Sequence, residues 1–161
     1  MINVVKDEEE KSVYVRESAV TALGLLGDRC AIEPLVSILE TKRGIIDKFS
    51  FLKERVIEAL DKMGFNSDER VFKALCNSLY DESAQVRIDA IEALMNSEHP
   101  KSFETIKKCM DEDLDEEVKR NALIALYNMS DRSILDEVIN SEQYSNKLKD
   151  VAREILNEYE E

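Results

Sequence analysis

Tryptophan is missing from these 161 residues, histidine occurs once, proline twice and glycine four times. With so little Gly and Pro, long stretches have nothing to interrupt a helix. With five Phe, five Tyr and no Trp, the core must be mostly aliphatic. No apolar run approaches the roughly 18 residues of a membrane span, and the start, MINVVKDEEE, lacks the basic head and apolar centre of a secretory signal. The three cysteines, Cys30, Cys76 and Cys109, are odd in number, far apart and without a CxxC pair. They suggest neither a disulfide framework nor a zinc knuckle, and fit small thiols in a reducing cytoplasm. Basic residues are outnumbered 22 to 35, for a net charge of −13, which repels nucleic acid at long range. The local cluster Lys101, Lys107, Lys108, Lys119 and Arg120 reads as a solvated face balanced by neighbouring acids.

What is present is one phrase written five times. VRESAVTALGLLGD (15–28) returns as LKERVIEALDKMG, VRIDAIEALMNSE, VKRNALIALYNMS and LKDVAREILNEY. Counting Val15 as position zero, apolar or small residues follow at +4, +7, +8 and +11: Ala19, Ala22, Leu23 and Leu26. That spacing paints one stripe of an α-helix. The same columns hold Leu52, Val56, Ala59, Leu60 and Met63 in the second copy, and Leu148, Ala152, Ile155, Leu156 and Tyr159 in the last. A basic residue always follows position zero: Arg16, Lys53, Arg87, Lys119 and Lys149. Small residues at +4 and +7 let a neighbouring helix come close, while Leu at +8 fills the space between layers. One such unit buries too little to stand alone, so copies must stack.

A shorter helix follows most copies. Its inward residues are Ile32, Leu35, Val36 and Leu39, then Val71, Phe72, Leu75 and Leu79, then Phe103, Ile106 and Met110, then Ile134, Leu135, Val138 and Ile139. Gly27 and Gly64 close first helices, and Pro34 and Pro100 fall at the start of second ones. The expectation is an all-α superhelix in a single domain, 1–161. Its helical-hairpin repeats fall near 13–41, 50–80, 84–110 and 116–141, with a capping helix at 145–160.

The Ala-Leu pairs at 22–23, 59–60, 93–94 and 125–126 are spaced by 37, 34 and 32 residues. Together with the phrase VRESAVTALGLLGDRCAIEPLVSILE, this resembles the short HEAT-like repeats first recognised in phycobilisome lyases. The resemblance runs over 15–156 and implies that second helices line a concave surface. The outward residues there are Glu33, Lys73, Glu104 and Asp136, with Ser37, Asn77, Lys108 and Asn140 one turn on. An enzyme of similar repeats, deoxyhypusine hydroxylase, binds two irons through His-Glu pairs in its first helices. The corresponding segments here, RESA, KERV, RIDA and KRNA, contain no His, which excludes that activity.

Departures from the repeat are the other candidates. The insertion TKRGIIDKFSFLKER carries Ile45, Ile46, Phe49 and Phe51. These residues pack back as extra helix or form an exposed apolar anchor for a partner. The acidic run DEDLDEE (111–117) fails the calcium-loop pattern, with Glu116 at the sixth place and Ala122 at the twelfth. Its acids are expected to cap a helix. His99 is expected to be a solvated or capping turn residue. The basic column is expected to pair with turn acids of adjacent repeats such as Asp28, Asp68, Asp81 or Asp131. No catalytic constellation, cofactor or metal is expected. The leading functional expectation is a non-enzymatic cytoplasmic scaffold binding another protein, with self-association through its thinly covered N-terminal end. A lyase-like or chaperone-like protein handling a prosthetic group is the alternative, and a nucleic-acid repair protein the third.

Overall fold

The computed structural model describes residues 1–6, 13–40, 48–64, 68–130 and 132–158. Among them are ten α-helices and no strand: α1 (Ile2–Lys6), α2 (Val13–Leu26), α3 (Ile32–Leu39), α4 (Lys48–Lys62), α5 (Glu69–Ser78), α6 (Ala84–Asn96), α7 (Ser102–Glu112), α8 (Glu116–Met129), α9 (Ser133–Asn140) and α10 (Asn146–Glu158). The fold is all-α, of the solenoid class. The chain forms two compact units, Met1–His99 and Pro100–Glu161.

In the first unit α2, α4 and α6 lie side by side, and α3 and α5 form a second layer beneath them. The +4 and +8 columns face the core: Val56, Leu60, Ala90 and Leu94 are completely buried. The expected inward residues of α3 and α5 are buried as well. The first helices come close at Gly24, where an added Cβ would lie 2.8 Å from the Ala59 Cβ and 2.9 Å from its Cα. A small residue at +7 therefore does what the spacing anticipates. It lets the backbone of the preceding copy come into contact. In the second unit α8 packs on α7 and α10 on α9, burying Val118, Leu123, Leu126, Leu135 and Leu148.

Helix ends follow capping chemistry. Asp28, Asp68, Ser83 and Asp115 each accept backbone N–H bonds at a helix start. Asp115, inside the acidic run, takes the amides of Glu117 and Val118, so the capping expected of DEDLDEE is realised there. Gly27 and Gly64 sit in the left-handed region at φ 65° and 70°. Pro34 lies in the third position of α3 and Pro100 two residues ahead of α7. The stripe is not buried throughout. Leu26 is 63% exposed and Val15 44% exposed, on the side of α2 opposite the one that meets α4 at Gly24. Tyr159 lies outside the described residues.

The third copy carries Glu98, φ 53°, at the place where the first two have Gly27 and Gly64. An L side chain in that conformation costs about 1–2 kcal/mol. The extra freedom glycine gives the unfolded chain returns about 0.4–1 kcal/mol of this. Glu98→Gly is expected to raise stability by about 0.5–1 kcal/mol in chemical denaturation; a lower midpoint would contradict the left-handed assignment.

Candidate functional site

The eight residues proposed for recognition on second helices all reach solvent. On the first unit Glu33 and Ser37 of α3 stand beside Lys73 and Asn77 of α5, all exposed. The two helices are in contact, and Arg70 comes within 3.8 Å of Glu33. Arg70 is itself held by Asp68, whose carboxylate accepts its backbone amide and its guanidinium. Asp68 is held below the ordinary carboxylate range chiefly by that guanidinium. On the second unit Glu104 and Lys108 of α7, and Asp136 and Asn140 of α9, are likewise exposed. Lys107 reaches Glu137 across these helices at 2.8 Å. Asn140 donates to the Asp136 carbonyl at 2.8 Å, folding back on its own helix. Each unit thus offers a polar, mixed-sign strip on rigid helices whose other side is core.

The described residues include only part of the inserted segment. Ile45, Ile46 and the Phe49 side chain lie outside the described residues. α4 starts at Lys48, so Phe49 and Phe51 belong to an added helical turn ahead of Leu52. Phe51 is 43% exposed, and the Arg55 guanidinium sits 5.3 Å from its ring centroid.

The basic column does not act as a uniform ladder. Lys53 pairs with Asp81, as expected. Arg87 instead donates to the Asp81 and Glu82 carbonyls at 2.8 and 3.3 Å. Asp81 also accepts the Ser83 amide at 3.0 Å, which makes this turn a junction between the second and third copies. Arg16 is buried and donates to the Val5 carbonyl of α1 at 3.1 Å. Asp28 caps the 3-10 turn Arg29–Ala31 ahead of α3 and Asp68 caps α5, rather than serving the column, and Asp131 lies outside the described residues. In the basic cluster, Lys107, Lys108 and Arg120 all find acids, as the balanced-face reading anticipates.

His99 departs from its expected place. It is buried, its ring stacked on Phe72 with centroids 3.7 Å apart and an 18° tilt, and its Nε2 lies 3.3 Å from Glu69 Oε1. Its backbone N–H donates to Ser97 Oγ at 3.2 Å. The aromatic face of Phe72 on α5 supplies an apolar partner that no local pattern around His99 reveals. The histidine ties the α6 end to α5, a packing role.

A feature missed by the sequence reading is an acidic cleft of about 340 Å³ between α4 and α6, lined by Glu54, Glu58, Asp61, Asp89 and Glu92 around Ile57 and Ala93. Its only basic lining residue is Arg55, paired with Glu58. The signal was available, since these acids recur on the outward turns of consecutive first helices. Burial, and then the Asp89 charge, pushes the Glu54 carboxyl up. Burial is also the main reason Asp89 is raised, although Gln85 donates to it at 2.7 Å.

A comparison with known families completes the picture. The family described as HEAT repeats matches over residues 2–94, 47–127 and 72–154. No curated protein matches the chain.

An acid raised in the folded state binds its proton more tightly there than in the unfolded chain. Its penalty is therefore fully present above the raised value and vanishes as pH falls below the ordinary carboxylate value of 3.8. Asp89→Asn, which keeps an oxygen for Gln85, is expected to raise the thermal midpoint at pH 7 and to lose that advantage near the ordinary carboxylate value. Equal or lower stability at pH 7 would show that burial does not penalise the Asp89 carboxylate.

Proposed function

This chain belongs to the HEAT-repeat family, and from that premise we propose that it is a non-enzymatic scaffold that recognises another protein through the outward side of its second helices. The observation that carries this reading is the pair of strips just described. Glu33, Ser37, Lys73 and Asn77 on one unit, and Glu104, Lys108, Asp136 and Asn140 on the other, are exposed on helices anchored by a buried opposite face. A mixed-sign strip favours contacts by hydrogen bonds and charge pairs, which give specificity and register more than bulk affinity. Phe51 at the head of α4, partly exposed under Arg55, is the apolar anchor proposed to accompany them, with Ile45, Ile46 and Phe49 of the same segment. The motif VRESAVTALGLLGD supports a finer assignment to the short HEAT-like type first recognised in phycobilisome lyases. The scattered cysteines fit a reducing compartment such as the cytoplasm.

Affinity capture from native lysate tests the scaffold. The intact protein is compared with a variant carrying Ser37→Arg, Asn77→Arg and Asn140→Arg, with helicity monitored in both. A specific protein held by the intact chain is expected to fall at least about tenfold in the variant, as when an interface centre is spoiled. Equal capture by both would remove the second-helix surface from the account. If neither chain held a specific protein, the scaffold reading would fall.

A further inference from the structure

We infer that the open face of α2 is a self-association surface, pairing with the same face of a second copy of this chain about a two-fold axis. Elsewhere in the first unit the equivalent face is covered. The Ala59 side chain of α4, at +7, lies under the backbone of Gly24 in the preceding helix. The positions flanking it on that side of α4, Leu52 at zero and Met63 at +11, are 1% and 8% exposed. On α4 these three columns form the face turned toward α2. On α2 the same columns hold Val15, Ala22 and Leu26, and they are open: Val15 and Leu26 are substantially exposed and Ala22 half-buried. α1 covers only part of this end. It packs on α2 and α3, burying Val5 and meeting Arg16.

The face has the composition of a repeat-to-repeat contact rather than of a solvated surface. Beside the open columns run Tyr14, Ser18, Thr21 and Leu25, all exposed, with Tyr14 at 78% and Leu25 at 76%. Between Tyr14 and Leu26 the sole charged residues are Arg16, which is buried, and Glu17, half-buried beside Tyr14 and Thr21 on the edge of the stripe away from Val15 and Leu26. The outward sides of the neighbouring first helices are different. α4 carries Arg55, Glu58 and Lys62 there, and α6 carries Asp89 and Glu92.

Two features select a second copy as the occupant. With a net charge of −13, two copies repel one another except where the meeting surfaces are uncharged, and this face is such a surface. The stripe is also self-complementary. Large side chains stand at both ends, Tyr14 and Val15 against Leu25 and Leu26, with small Ser18, Thr21 and Ala22 between. Two such helices laid antiparallel bring the ends of one onto the ends of the other. The small middle allows the approach that Gly24 and Ala59 make inside the chain.

Sedimentation velocity over a concentration series tests this on the intact chain. The mass is expected to double as concentration rises, and added salt to favour the dimer by screening the net charge. Leu26→Glu is expected to abolish the dimer. Leu25→Arg, at a more exposed site, is a second variant should the first perturb folding. Leu114→Glu, at a side chain 96% exposed in the other unit, should leave the dimer intact. A wild type that stays monomeric throughout, or a dimer that survives both α2 variants with helicity retained, would overturn the inference.

Discussion

The contact between the Gly24 backbone and Ala59 sets the distance between successive first helices, and the other columns take their roles from it. Because α2 and α4 meet through a glycine and an alanine, their stripes can share one layer. The +4 and +8 side chains then point down onto α3 and α5 instead of holding the helices apart. Burial of this kind contributes roughly 1.5–3 kcal/mol for each large aliphatic side chain, and it depends on close packing over many contacts. The contact also gives each first helix two different sides. On α2 the side carrying Gly24 meets α4, and the opposite side, with Val15 and Leu26, is open.

Turns do the second part of the work. Asp81 joins two copies at once, accepting Lys53 and the Ser83 amide through its carboxylate and Arg87 through its carbonyl. The second unit repeats part of this device. Asp113 accepts the Asp115 amide, Asp115 caps α8, and Ser145 accepts the Leu148 amide while donating to Glu116. Tyr144, buried, donates to Asp111 at 2.6 Å, and its phenol is pushed up chiefly by burial and then by that carboxylate. Such bonds fix the angle at which one helix follows another. That angle is what a binding strip on second helices needs if its side chains are to hold their places.

Helices, columns and the left-handed closings at Gly27 and Gly64 were legible in the sequence, because each rests on local periodicity or on the backbone freedom of one residue. The inward residues of α3, α5, α7 and α9 were legible for the same reason, although Phe103 and Ile139 end half-buried. The exposure of Leu26 was not, since a stripe position is buried only if a neighbour exists to cover it. The seat of His99 also escaped, because its partners Phe72 and Glu69 lie about thirty residues away on α5. The basic column looked uniform and is not. Arg16, Lys53 and Arg87 start from equivalent positions but meet a carbonyl of α1, a carboxylate and two turn carbonyls respectively. Of the proposed recognition residues, their place on the outward side of second helices followed from the period. What they bind is not a property of the period.

The packing also explains how this framework can carry a varied outer surface. Within each unit the first helices and the inner sides of the second form the core, so outward positions are free to vary in charge and size. The central claim is therefore the Gly24 contact, and thermal unfolding of Gly24→Ala tests it most directly. Alanine is the better helix former by about 1 kcal/mol, so an uncrowded site would gain stability. A Cβ 2.8 Å from Ala59 must instead push two backbones apart, an overpacking cost of about 1–3 kcal/mol. A lowered midpoint is the result this account predicts, and a raised one would contradict the packing on which the rest is built.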